Sequence, residues 1–186
     1  MSYQDKQISL MYYSSNYSGK TIQNSNYKNG YFDSIPIVLY QEKESELYVT
    51  LGSDVLTLYS KLKEIHSEID RSKILSKRMD DWDENGAIGF IRENYYAAIK
   101  FLVMHANKIY IDHSIGIYPP EIVLARDGSI DLQWRSEKFI LVINFRELGL
   151  YGDFYGEDYI KGTVIKGPID DIEINDDLSH WMRKLK

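Results

Sequence analysis

Residues Ile122–Phe145, IVLARDGSIDLQWRSEKFILVINF, decide how this chain folds. They form three strand-like runs read at a period of two, Ile122–Arg126, Ile130–Arg135 and Phe139–Phe145, joined by Asp127-Gly128 and by Ser136-Glu137-Lys138. A period of two sends successive side chains to opposite faces of a strand, and Asp-Gly between such runs is a strong hairpin signal. Phe139, Leu141, Ile143 and Phe145 share one face, the expected core face, while Ile140, Val142 and Asn144 lie on the other. Leu150–Tyr155 and Tyr159–Ile165, separated by Gly156-Glu157-Asp158, extend the pattern into an antiparallel meander of about four or five strands.

Upstream of the meander the apolar period changes to three and four. Ser53-Asp54 offers an N-cap pair, and Val55, Leu58, Tyr59, Leu62, Ile65 and Ile69 follow, with Lys61, Lys63, Glu64 and Glu68 on the opposite side. That spacing predicts an amphipathic helix ending near Lys77. Ile91, Tyr95, Ala98, Ile99, Leu102, Val103, Ala106 and Ile109 predict a second helix, with a stripe broad enough for a core element, and Pro119-Pro120 closes the loop after it. Asn175 or Asp176 is expected to cap a last helix carrying Leu178, Trp181, Met182 and Leu185 on one face. Ile35–Tyr40 and Leu47–Leu51 read as a short N-terminal hairpin joined through Gln41–Glu46.

Two helices before a sheet and one after it predict an α+β domain over residues 35–186, with helices on one face of an antiparallel sheet. Residues 1–34, rich in Ser and Asn and holding six Tyr, read as an arm that is flexible or docked.

Composition excludes whole classes of chemistry. The 186 residues contain no Cys, which removes disulfides, thiolate metal sites, Fe–S clusters and cysteine nucleophiles. Formal net charge is −6, of which −5 falls in residues 111–186, the wrong sign for a phosphate-binding surface. No Lys/Arg run and no apolar stretch of about 18 residues occurs, so neither nucleic acid nor a membrane is the expected partner. Met1–Lys6 has no basic segment leading into an apolar one, and a soluble cytoplasmic chain is the default expectation. Sixteen Tyr, each an apolar ring with a polar tip, suit half-buried sheet faces and contact surfaces alike.

Between the two predicted helices lies Asp81-Trp82-Asp83-Glu84-Asn85-Gly86-Ala87. Asp81, Asp83, Asn85, Gly86 and Ile88 match positions 1, 3, 5, 6 and 8 of a calcium-binding helix-loop-helix. Position 12, where a bidentate Glu should close the shell, is Arg92, and Glu93 comes one residue late. The other reading is a packed corner: Asp83 accepts backbone N–H groups at the start of the second helix, Gly86 takes a positive φ, and Trp82 fills the junction beside Ala87. The arginine at position 12 favours the corner over calcium as a cofactor.

The order Trp82-Asp83-x-x-Gly86-Ala87, helix to about Ile109, Pro119-Pro120-x-Ile122, then Asp127-Gly128-Ser129-Ile130-x-Leu132-x-Trp134 resembles a group of small bacterial proteins with no established activity. The likeness covers about residues 80–146, and the closing helix fits it. It departs from that group at Gly89-Phe90-Ile91, where a proline and a small capping residue are usual. The resemblance implies a compact bacterial domain and, through genomic setting alone, a link to toxin or defence systems.

Four histidines are present, and His113, beside Asp112 and before Pro119, is the strongest catalytic candidate because loops carry function and a carboxylate could tune it. Gly149, Gly152 and Gly156 lack phosphate-loop spacing and read as strand bends. Asp170, Asp171, Glu173, Asp176 and Asp177 read as acids preceding a helix. Trp134, Arg135, Tyr151, Phe154 and Tyr155 are the candidate contact residues, since aromatics and Arg dominate interface energetics. The expected function is a non-catalytic protein-interaction module whose partner is another protein, as an accessory or neutralising component of a bacterial defence or toxin system. The rival is a metal-dependent hydrolase or calcium-binding protein built on Asp81, Asp83 and His113.

Overall fold

A computed structural model of the chain describes residues 45–169 and 175–186, all within the unit Glu42–Lys186. The predicted arm, the predicted strand Ile35–Tyr40 and the acids Asp170, Asp171 and Glu173 lie outside the described residues. The elements run β1 (Glu46–Leu51), β2 (Asp54–Tyr59), α1 (Lys63–Ser72), α2 (Arg92–His113), β3 (Glu121–Leu124), β4 (Ile130–Arg135), β5 (Phe139–Arg146), β6 (Tyr151–Asp158), β7 (Thr163–Ile169) and α3 (Asp176–Met182). This is an α+β fold with a two-stranded hairpin, β1-β2, and an antiparallel sheet in the order β3-β4-β5-β6-β7.

The meander follows from its alternation. Ile130, Leu132 and Trp134 of β4 and Leu141, Ile143 and Phe145 of β5 are buried on the inner face, with Ile122 and Leu124 of β3 beside them. The β3-β4 turn is the expected Asp127-Gly128: Gly128 has φ +79, and Asp127 Oδ1 accepts from both Ser129 N (3.1 Å) and Ser129 Oγ (2.6 Å). Gly152 and Gly156 are not bends. Both sit inside β6 on the inner face, and a Cβ on Gly156 would lie 3.2 Å from the Trp181 ring, so glycine lets α3 lie close on the strand.

The N-terminal hairpin differs from the expectation. Leu47–Leu51 is a strand, but its described partner is β2, in register from Glu46↔Tyr59 to Leu51↔Asp54 across the two-residue turn Gly52-Ser53. Gly52 has φ +62, the conformation such a turn needs. Val55, Leu58 and Tyr59 therefore belong to a strand, and Ser53-Asp54 is not a helix cap. The spacing of Val55 and Leu58 fitted a helix only by coincidence: Val55 is 60% exposed, and burial alternates through half-buried Leu56 and buried Leu58. The helical stripe begins at Leu62, and a 3-10 turn over Lys73–Lys77 ends the segment where expected.

α2 organises the core. Ala98, Ile99, Phe101, Leu102, Ala106 and Ile109 are fully or almost fully buried, and Phe101 meets Phe145 of β5 with ring centroids 5.3 Å apart. Ser72 Oγ and Tyr95 Oη, 2.9 Å apart and buried, tie α1 to α2. Asn94, 1% exposed, donates from Nδ2 to Gly128 O (2.9 Å) and accepts at Oδ1 from Gly149 N (2.8 Å), so one amide joins the first turn of α2 to two turns of the sheet. At the other end of the core His105 is fully buried and stacked on Phe101. Its Nδ1–H donates to Phe101 O (3.1 Å), and Nε2 accepts from Asn175 N (3.2 Å), the N-cap of α3, whose own Oδ1 accepts from Leu178 N (2.9 Å).

The sheet has two blunt edges. β3 is four residues long, and β7 carries Lys166 and Pro168.

Two outcomes follow for stability. Asn94→Ala leaves a buried carbonyl and a buried N–H without partners and should cost about 2–4 kcal/mol in chemical denaturation. Burial pushes the His105 imidazole down to about 4 from an ordinary value of 6.5, so between those pH values the folded chain binds fewer protons than the unfolded one. The stability present above pH 6.5 is lost as the pH falls through that window, by roughly 3 kcal/mol at most. Unfolding midpoints measured from pH 7 to pH 4 should show this slope, and His105→Leu should flatten it.

Candidate functional site

The corner 81–87 folds as a set of side-chain-to-backbone bonds. Asp81 Oδ1 accepts from Gly86 N (2.7 Å), and Asp83 Oδ1 accepts from Asn85 N (2.9 Å) and Ala87 N (3.1 Å). Gly86 has φ +80, while Asp81 and Glu84, both at φ +59, share the left-handed region with it. Arg126, from the β3-β4 connection, pairs through Nε with Asp83 Oδ2 (2.7 Å) and donates from Nη2 to Asn85 O (2.6 Å). Partial desolvation opposes ionisation of Asp83, but the two N–H groups and the Arg126 guanidinium outweigh it and hold the carboxyl below its usual range. Carboxylate oxygens at Asp81 and Asp83 thus turn into the loop's own N–H groups instead of converging on a common point. Among the described residues no three His, Asp or Glu side chains group as metal ligands.

The corner reading needs two corrections. Asp83 does not cap α2, which begins at Arg92 after the non-helical stretch 88–91; its bonds close the corner loop itself. Trp82 is half-buried, not sealed beneath the junction: Nε1 donates to Ile88 O (3.2 Å), and the Arg78 guanidinium lies 5.3 Å from its ring centroid.

His113 is the last residue of α2 and not part of the following loop; it is exposed. Its Nε2 accepts from Arg183 Nη1 (3.3 Å), and His180 Nδ1 accepts from the same guanidinium. Asp112 pairs with Lys108 (2.9 Å) instead of orienting His113. The corner sits at the start of α2 and His113 at its end, about 30 Å apart for a helix of 22 residues. Asp81, Asp83 and His113 are therefore not brought together, and the hydrolase constellation does not assemble.

The aromatic candidates divide between two faces of the sheet. Trp134, 4% exposed, lies on the inner face and donates from Nε1 to Tyr118 O (2.8 Å). Phe154 packs half-buried on that same face. Arg135, Tyr151 and Tyr155 point outward, Tyr155 Oη donating to Glu157 Oε2 (2.7 Å) and Arg135 Nε to Gln133 Oε1 (3.1 Å).

Beside Tyr151 is a feature the sequence reading missed. Glu147, Leu148 and Gly149, which join β5 to β6, have φ +53, +61 and +78, a run of three residues in the left-handed region. For the first two this costs about 1–2 kcal/mol each. Gly149 is pressed against α2, where a Cβ would lie 2.8 Å from Glu93 O and 2.9 Å from Ala97 Cβ, and its N–H is held by Asn94. The turn so fixed leaves Leu148 62%, Leu150 68% and Tyr151 52% exposed. One signal for it was legible: Asn94 is an amide three residues after Ile91, inside the apolar stripe, and a buried amide needs partners.

Compared with known proteins, the chain matches no family model, no curated protein and no solved structure.

The corner should stabilise the chain without metal. Trp82→Ala, at a half-buried ring, should cost about 2 kcal/mol. Asp83→Ala should lower the thermal midpoint in EDTA buffer, whereas a loop held by calcium would already have lost that stability to the chelator.

Proposed function

We propose that this chain is a non-catalytic protein-interaction module that recognises another protein through the turn and strand start Glu147–Tyr151. The observation that carries this reading is strain spent on exposure. Two non-glycine residues hold left-handed backbone, a buried asparagine and a jammed glycine lock them in place, and the product is two leucines and a tyrosine facing solvent. Apolar side chains on a rigid support contact a partner at low cost in conformational entropy. Arg146 and Glu147, which flank the turn at the end of β5, supply the polar surround that an apolar anchor needs. A role as an accessory or neutralising component of a bacterial defence or toxin system is the setting that the sequence resemblance implies. No helix among the described residues is long and apolar enough to cross a membrane.

Tagged full-length chain recovered from its native cells under nuclease should carry a stoichiometric protein partner. Leu148→Ser with Leu150→Ser should release that partner at an unchanged or higher melting temperature, because both side chains are exposed. Retention of the partner by the double variant would remove the turn from recognition, and an absence of any partner would remove the module reading.

A further inference from the structure

We infer that the chain forms a dimer in which the outer faces of two five-stranded sheets pack together about a two-fold axis running between them, parallel to β5. This goes beyond the turn reading and uses a different surface. All helical core residues pack with the inner face, and none of the outer-face residues belongs to that core. Val123, Ile140 and Val142 are partly exposed there, with Tyr155 42% and Val164 52% exposed.

The strand register makes this face complementary to itself. One row across it reads Glu121, Gln133, Val142, Tyr155, Lys166 from β3 to β7. Rotation about an axis along β5 lays β3 over β7 of the second copy and β4 over its β6. Glu121 then meets Lys166 of the second copy, Lys166 meets its Glu121, and Val142 stacks on Val142. The neighbouring row behaves the same way, Arg135 lying over Glu157 and Ile140 over Ile140. In the third row Val123 lies over Pro168, while Asp131 lies over Asp153. That like-charge contact is offset within each copy, since Asn144 Nδ2 donates to Asp131 (2.7 Å) and Arg146 Nη1 bridges Asn144 and Asp153. An axis along the rows would instead set Glu121 on Glu121 and Lys166 on Lys166, so the charges select one axis. Among the described residues neither Glu121 nor Lys166 has an ion-pair partner, and both are exposed.

Sheets packed face to face lie about 10 Å apart, a gap that Lys and Glu side chains span together. Five strands at about 4.8 Å and about six residues at about 3.4 Å give a flat footprint of roughly 450–500 Å² per copy. Side-chain relief raises that figure toward, but not beyond, the roughly 800 Å² per partner of a standard interface. That places it at the small end of specific interfaces, where association is reversible on dilution.

Sedimentation equilibrium of the full-length chain tests this. The expected species is twice 21.8 kDa, weakening at high salt. Glu121→Lys and Lys166→Glu should each raise the dissociation constant about tenfold, each pair occurring twice by symmetry, and the two together should restore it. Thermal midpoints measured well below the dissociation constant, where the chain is monomeric, should not move. Leu148→Ser with Leu150→Ser should leave the dimer intact, which separates this surface from the turn. A monomer at every concentration, a dimer indifferent to both single reversals, or a double variant weaker than either single would overturn the inference.

Discussion

One buried amide holds this fold in register. Asn94 lies in the first turn of α2 with only 1% of its surface exposed, yet both ends of its carboxamide are bonded, one to the β3-β4 turn and one to the β5-β6 turn. Hydrophobic burial is non-directional and would accept α2 at a range of positions on the sheet. The paired bonds accept one, because displacing the helix would leave three polar groups buried and unsatisfied. The left-handed turn at Glu147–Gly149, the close seat of Gly149 on α2 and the outward presentation of Leu148 all depend on that fixed position.

The meander, α2 and α3 were legible because their signals are local and redundant. Asp127-Gly128 names its own turn, Ile130 to Arg135 alternates without a break, and Asn175 caps the helix that Leu178, Trp181 and Met182 mark. β2 was misread because Val55, Leu58 and Tyr59 satisfy a three-and-four spacing as well as half of an alternating one, and short apolar runs do not discriminate the two. Gly52 was the clue, since a glycine before Ser53 suits a tight turn better than a helix start. The candidate contact residues were misjudged for a different reason. Trp134 and Phe154 lie on the inner face while Arg135, Tyr151 and Tyr155 lie on the outer, and that division follows only from counting the register along β4 and β6.

The corner shows how one spacing of oxygens serves two chemistries. Alternating Asp and Asn around a glycine is what a calcium loop needs, and it is also what a tight loop needs to satisfy its own N–H groups. Here Arg126 decides between them: its guanidinium occupies Asp83 and the Asn85 carbonyl, doing from a neighbouring turn what a bound cation would do from the centre. Arg92 at position 12 speaks against calcium in the sequence alone, whereas the second arginine arrives from 41 residues away and is brought to the corner only by the fold.

Pro168 and Lys166 on β7, with the brevity of β3, also bear on the chain at high concentration. A proline offers no N–H to an incoming strand, a lysine resists being sandwiched, and a four-residue edge gives too few bonds to hold one. Both borders of the sheet therefore disfavour strand addition, even though the chain is rich in the aromatic and β-branched residues from which cross-β spines are built. A five-stranded sheet so bordered meets other molecules more readily through its open face and its turns than through its edges.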